Sequence, residues 1–321
     1  MRPVPEDRHD AAAMTLALLA VGVVAISFSG PIAAATAAPA LAVAFWRNAL
    51  GTAVVLPWAA TRRRAELARM LRKERRVLAR AVAAGLVLAV HFGLWIPSLR
   101  LTSVTAATAL VTTAPLFTMM ADRLGGRRVP PAVVAGVLTS VAGVLVITGV
   151  DASSSPRALT GDLMALGGGA AAAAYTLLGA SVRRTVSTAG YTSVAYSVCA
   201  LALLPVCLLG GAPLAGYAPR TWAELAVLTL TAQLLGHSLF NRALRSVGAT
   251  TVSLVVLLEV PGATLVTWAF WGQAPPPATL PGAALLLAGL AVVVRAGASS
   301  RRRAAAERGV SGPEVLDVTP V

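Results

Sequence analysis

The sequence predicts an all-α membrane protein whose ten transmembrane helices form two inverted five-helix repeats. Three observations carry that expectation. The 321 residues are 57% hydrophobic and only 12% charged, ten apolar runs reach spanning length, and features recur at a fixed shift along the chain. Soluble domains carry roughly 25% charge, and a mean hydropathy of +0.75 with abundant Ala, Leu, Val and Gly suits helices packed in lipid.

The apolar runs follow from a spanning length of about 20 residues. They cover 11–30, 40–60, 78–97, 103–122, 132–150, 161–182, 191–210, 223–242, 249–271 and 279–296. Breakers or charges mark the junctions: Gly30-Pro31, Arg62–Arg64, Gly125-Gly126, Ser153-Ser154-Ser155-Pro156, Gly210-Gly211 and Pro275-Pro276-Pro277. The expected organisation is a cytoplasmic N-terminus over 1–10, a first repeat over 11–150, a second over 161–296, and a basic tail without fixed structure over 297–321. The Ala33–Ala38 run after the first segment also fits a leader-peptide cleavage site. The preceding apolar run exceeds the 7–15 residues of a leader core, and losing it would break the set.

The net charge of +14 raises nucleic acid as a partner, and the placement of the basic residues argues against it. They flank apolar runs, as in Arg62-Arg63-Arg64, Arg72-Lys73-Glu74-Arg75-Arg76 and Arg301-Arg302-Arg303. With the N-terminus inside, 23 of the 27 Lys and Arg fall on the inner side, against Arg100, Arg157 and Arg220 outside and Arg47 at the outer mouth of the second segment. That asymmetry fits an even number of spans with both termini cytoplasmic. Within 61–80, Arg69, Arg72, Lys73, Arg76 and Arg80 recur at helical spacing around Leu67, Met70 and Leu71. The loop is either a short helix lying on anionic lipid or solvated charge. Cys199 and Cys207 lie about 12 Å apart along one helix and cannot pair.

A shift of 146 residues places His91 on His237, Pro115 on Pro261, Thr118 on Thr264 and Gly126 on Gly272. It also places Pro130-Pro131-Ala132 on Pro276-Pro277-Ala278, Gly136 on Gly282 and Ala142-Gly143 on Ala288-Gly289. Five spans per copy is an odd number, so the second copy enters the membrane from the opposite side. Inverted duplication predicts a site near the midplane between the halves.

Few residues can supply chemistry at depth, where an ionisable group costs at least about 2.5–3.5 kcal/mol. Glu259, in the ninth segment two residues before Pro261, is a candidate for binding a cationic group or carrying a proton; the alternative is a protonated carboxyl bonded to a neighbouring helix. Gln233, His237 and Asn241 stack at i, i+4 and i+8 on the eighth segment, as a cavity lining or as inter-helix hydrogen bonds. His91, Trp95 and Ser98 repeat the idea on the third, although Trp95 also suits an interfacial anchor. Thr105, Thr108 and Thr112 form a stripe that either meets substrate or bonds its own backbone. Arg47, beside Trp46 and Asn48, either snorkels to headgroups or binds a carboxylate. Tyr175 is an isolated hydroxyl among alanines. No Walker loop, dinucleotide fingerprint, His-Glu-x-x-His helix or nucleophile elbow occurs, so neither a cofactor, a metal site nor an enzyme is expected. Besides transport of a small molecule, a membrane scaffold or sensor and a membrane-embedded lipid-modifying protein stay open.

Certain residues resemble the EamA-domain branch of the drug/metabolite transporter superfamily across about 13–296. They are Phe45-Trp46-Arg47-Asn48; His91-Phe92-Gly93-Leu94-Trp95 followed by Leu99, Thr102-Ser103 and Pro115-Leu116-Phe117; Gly161-Asp162-Leu163; Asn241 with Ala243-Leu244; Pro261; and Gly136 with Gly282. The resemblance implies ten helices in two inverted repeats, both termini inside, and export of amino acids, related metabolites or drugs through a central cavity. One departure stands out: where the family usually carries Gly-Glu after the fourth and ninth spans, this chain has Gly126-Arg127 and Gly272-Gln273. Topology is directly testable. Reporter tags at residue 68 and at the C-terminus should both read cytoplasmic and one within 153–157 should read external; an external C-terminus would refute the ten-span count.

Overall fold

The computed structural model describes residues 5–151, 155–247, 249–272, 274, 277 and 280–309. Ser153, Ser154, Gln273, Pro275, Pro276, Ala278 and the tail over 310–321 lie outside the described residues. Among the described residues every regular element is helical. Ten helical columns run in chain order. They are α1 (Pro5–Ser27, continued by Ser29–Ala35), α2 (Ala40–Arg62), α3 (Arg75–Ser98), α4 (Val104–Val111, then Ala114–Leu124) and α5 (Pro131–Asp151). The second five are α6 (Pro156–Val182), α7 (Thr188–Leu209), α8 (Pro219–Leu228, Thr229–His237 and Ser238–Val247), α9 (Ala249–Val256, then Glu259–Trp271) and α10 (Leu280–Gly309).

Ten spans were expected; eight columns are long and apolar enough to cross a bilayer among the described residues. In α5 and α10 the apolar stretches are shorter, Pro131–Ile147 and Leu280–Val293. Outward-facing Leu16, Val54, Leu86, Leu163, Leu201, Leu265 and Phe270 are exposed, more apolar surface than water tolerates on a monomer. The tail expected to lack structure from 297 instead continues α10 to Gly309; the Arg- and Ala-rich run 301–306 holds strong helix formers and no breaker. Between α2 and α3 the basic loop does form a short helix, Arg64–Arg72, with Met70 buried beneath it.

The contacts between columns fix their relative directions. Gly136 of α5 sits against the Gly289 carbonyl of α10, and Gly143 sits against that of Gly282, so the two helices run antiparallel. A shift of 146 residues converts the first contact into the second. Between them the Ser140 hydroxyl donates to the Leu286 carbonyl at 3.2 Å, and these two positions are themselves 146 apart. The crossing therefore lies on a pseudo-two-fold axis perpendicular to the helices. The α1–α8 and α3–α6 pairs are likewise antiparallel and are equivalent under the same shift: Gly22 lies against Phe240 and Gly236 against Ile26, while Gly161 lies against Leu101 and Gly168 against Trp95.

Two breaks also correspond. α4 breaks at Thr112–Thr113 before Pro115, and α9 breaks at Leu257–Leu258 before Pro261, because each proline lacks an N–H and crowds the carbonyl one turn earlier. Both columns end on a left-handed glycine, Gly126 at φ 76° and Gly272 at φ 67°, a conformation glycine adopts without strain. Where the family places Glu after the first of these, Arg127 instead pairs back with Asp122 at 2.8 Å. Asp122 also accepts from the Thr250 hydroxyl at 2.9 Å, tying the end of α4 to the start of α9.

A methyl at Gly289 would clash with the Gly136 carbonyl and lie 2.5 Å from the Ser140 nitrogen, whereas one at Gly93 would meet only Leu203 at 3.6 Å. Gly289→Ala should therefore cost about 1–3 kcal/mol and lower the detergent melting temperature clearly below that of Gly93→Ala. Equal melting of the two variants would show that the crossing does not hold the halves together.

Candidate functional site

A cavity of about 710 Å³, its open mouth included, lies between the halves. It is walled by α1, α3 and α4 of the first repeat and by α6, α8 and α9 of the second. Several of its positions are equivalent under the 146-residue shift: Ile26 and Ala172, Ser29 and Tyr175, His91 and His237, Trp95 and Asn241. The same places in each repeat thus face one space, carrying different side chains.

Seven of the nine expected site residues line this cavity: His91, Trp95, Thr112, Tyr175, His237, Asn241 and Glu259. Glu259 opens the second half of α9, immediately after the break, and is 3% exposed with Oε1 lacking a hydrogen-bond partner among the described residues. The break aims its carboxyl into the cavity rather than along a continuous helix face. His91 is held by a 2.9 Å bond to the Gly168 carbonyl. A carbonyl only accepts, so Nδ1 carries the proton and Nε2 is left as an acceptor. The His91 ring stacks on Trp95 with centroids 5.8 Å apart, and His237 meets Phe92 edge-on at 5.6 Å. The buried Trp95 indole N–H has no hydrogen-bond partner among the described residues, and the residue is 3% exposed, packed within the bundle. Asn241 donates to the Tyr175 hydroxyl at 2.7 Å. Thr112 returns its hydroxyl to the Ala109 carbonyl at 2.8 Å, so it presents mostly its methyl.

Gln233 and Arg47 stand elsewhere. The stripe of Gln233, His237 and Asn241 splits because Thr229–His237 is a π-helical stretch. With i→i+5 bonds, residues four apart no longer stack, and Gln233 turns toward α2 while His237 and Asn241 face the cavity. Arg47 was expected at the outer mouth; it is fully buried, two turns into α2. Its Nε donates to Gln233 Oε1 at 3.0 Å and Nη1 donates to the Ser29 hydroxyl at 3.2 Å. Gln233 Nε2 in turn donates to Asn48 Oδ1 at 2.9 Å. The guanidinium carbon lies 4.0 Å from the Phe92 ring centre, a cation–π contact. Nη2 has no partner. Glu259 and Arg47 close no ion pair among the described residues. Ser29, which bonds Arg47 and lines the cavity, joins the network to the site. It went unnoticed in the sequence because a lone serine before Gly30-Pro31 reads as a break. No group of three His, Cys, Asp or Glu among the described residues is placed to hold a metal ion.

A model of the EamA-like transporter family matches the chain twice, over residues 11–149 and 159–295. The chain belongs to the EamA-like transporter family. An uncharacterized transporter of Archaeoglobus fulgidus is 27% identical over 219 residues, which is 67% of this chain and 74% of that protein. A solved crystal structure shares the fold at a TM-score of 0.70 and 18% identity, covering 90% of this chain and 98% of the other. This EamA-like chain is therefore a multi-pass membrane protein of a transporter family rather than of an enzyme family.

The Arg47 network makes a specific prediction. Arg47→Met strands Gln233 Oε1 and Ser29 at about 1–3 kcal/mol, and Arg47→Lys should not restore stability because an ammonium cannot reproduce the fork. Arg47→Met with Gln233→Leu should recover part of the loss. Additive losses in thermal melts would show that the two side chains are not coupled.

Proposed function

We propose that this EamA-like transporter is a secondary exporter that carries a small metabolite, an amino acid or related compound, or a drug by alternating access. The observation that carries the reading is the cavity between the repeats, lined by paired positions and by the partnerless Glu259 oxygen. In inverted-repeat transporters, substrate sites lie at such an interface beside broken helices, and rocking of one repeat against the other opens either side. The breaks in α4 and α9 flank this cavity. Parallel α2 and α8, with Trp46 against Trp222 at their starts and Gly51 against Gln233 further along, fit ten crossings with both termini inside. The Arg64–Arg72 helix, its basic face exposed, would rest on anionic lipid.

Glu259 is the carboxylate at the cavity wall and is assigned the coupling role; His91 and His237 contribute aromatic surface and acceptors. Tyr175, Asn241 and Trp95 would contact the cargo, and Arg47 with Gln233 would hold the wall. Glu259→Gln keeps the shape while removing ionisation. Vesicles carrying it should exchange substrate down its own gradient yet ignore an imposed pH gradient that drives accumulation by the unmodified protein. A Gln variant that responds fully removes Glu259 from coupling; an unmodified protein that ignores the gradient makes the chain a facilitator.

A further inference from the structure

A second cavity, separate from the central one, opens at the basic end of the bundle between the start of α1, the end of α2, the α6–α7 connection and the end of α8. It encloses about 1600 Å³ including its mouth. Four arginines border it: Arg63, Arg183, Arg242 and Arg245. Three are exposed and Arg183 is 3% exposed. None forms an ion pair among the described residues. Arg183 is fixed from behind, donating through Nε to the Asn241 carbonyl at 3.0 Å and through Nη1 to that of Val186. Burial first, and then the field of Arg245, hold its pKa below the ordinary guanidinium value. The carboxylate whose field reaches it is Glu66, whose Oε1 is already occupied by the Ser187 N–H at 3.0 Å and hydroxyl at 2.7 Å. Four positive charges therefore converge on one space against the one carboxylate, Glu66, whose field reaches Arg183 among the described residues, and an anion entering it would relieve the remaining repulsion.

The rest of the lining decides which anion. Met14 and Trp58 form an apolar flank, 61% and 57% exposed on the outward surface, and Leu18 continues it inward. A soluble anion has no use for that flank. A phospholipid does: its acyl chains lie along the apolar side, a Trp marks the headgroup level, and arginine forks match phosphate oxygens.

We propose that this groove binds the phosphate of an anionic phospholipid of the inner leaflet. The site rests on the membrane reading and is independent of what the central cavity carries. It is also wired to that cavity: Arg183 bonds the Asn241 carbonyl and Asn241 bonds Tyr175, both cavity residues.

The test uses the full chain in phosphatidylcholine nanodiscs titrated with phosphatidylglycerol, bound lipid being read by native mass spectrometry. Arg63→Gln/Arg242→Gln/Arg245→Gln should weaken retention of phosphatidylglycerol by about tenfold or more, equivalent to about 1.4 kcal/mol. Arg301→Gln/Arg302→Gln/Arg303→Gln removes the same charge from the end of α10 and should leave retention within about twofold, since a diffuse surface effect would tax both variants alike. Equal losses in the two variants would overturn the proposal. So would displacement of the lipid by millimolar inorganic phosphate, which would assign the groove to a soluble anion. Arg242→Gln alone reads the same contrast should the triple variant not fold.

Discussion

Burying the Arg47 guanidinium without a carboxylate against it is the constraint around which the middle of this protein is arranged. A charge at that depth is tolerated only where its donors find acceptors. Gln233, Ser29 and the Phe92 face supply those contacts from three other columns. The requirement reaches further than the pair itself. Gln233 can satisfy Arg47 and Asn48 only by facing α2, while His237 and Asn241 on the same column face the cavity. A regular α-helix would align all three, and the π-helical stretch at Thr229–His237 separates them. The local widening of the ladder thus lets one helix serve a buried charge and the cavity wall at once.

The pseudo-two-fold relation gives the cavity its position but not its chemistry. Closely packed glycines at the α5–α10, α1–α8 and α3–α6 crossings bring equivalent backbones together, and packing of this kind drives helix association where lipid offers no hydrophobic gain. The side chains then diverge: Ser29 opposes Tyr175, Trp95 opposes Asn241, and Thr113 corresponds to Glu259. An identical pair of surfaces would bind a symmetric object. Divergence at matched positions places Asn241 and Glu259 on the α8 and α9 side of the space and Trp95 on the α3 side.

Much of this was legible because the bilayer restricts what a sequence can mean. Spanning length, basic junctions and the matched prolines and glycines located the columns, and the scarcity of polar residues at depth picked out seven cavity residues. The short apolar stretches of α5 and α10 show where length alone falls short of ten spans. Two other misreadings share one cause, which is that periodicity assumes an unbroken α-helix. Arg47 looked interfacial because its distance from the span's beginning was read on a one-dimensional ruler. Gln233 looked cavity-facing because i+4 stacking fails across π turns. Ser29 was invisible, since its role depends on a partner 18 residues away.

The helix breaks show how local strain becomes a site. Thr112–Thr113 and Leu257–Leu258 interrupt α4 and α9 at matched places, each ahead of a proline that cannot donate. In the first copy hydroxyls beside the break bond carbonyls of the preceding turn, Thr112 to Ala109 and Thr113 to Leu110 at 2.7 Å. In the second copy the corresponding residues are Leu258 and Glu259, so no hydroxyl repeats that local bond and the carboxyl is left facing the cavity with Oε1 free. The duplication therefore supplied two equivalent breaks, one quenched by threonines and one carrying an ionisable group. In the transport reading proposed above, a proton or a cationic group reaching the cavity would meet its acceptor on α9, in the second of the two repeats.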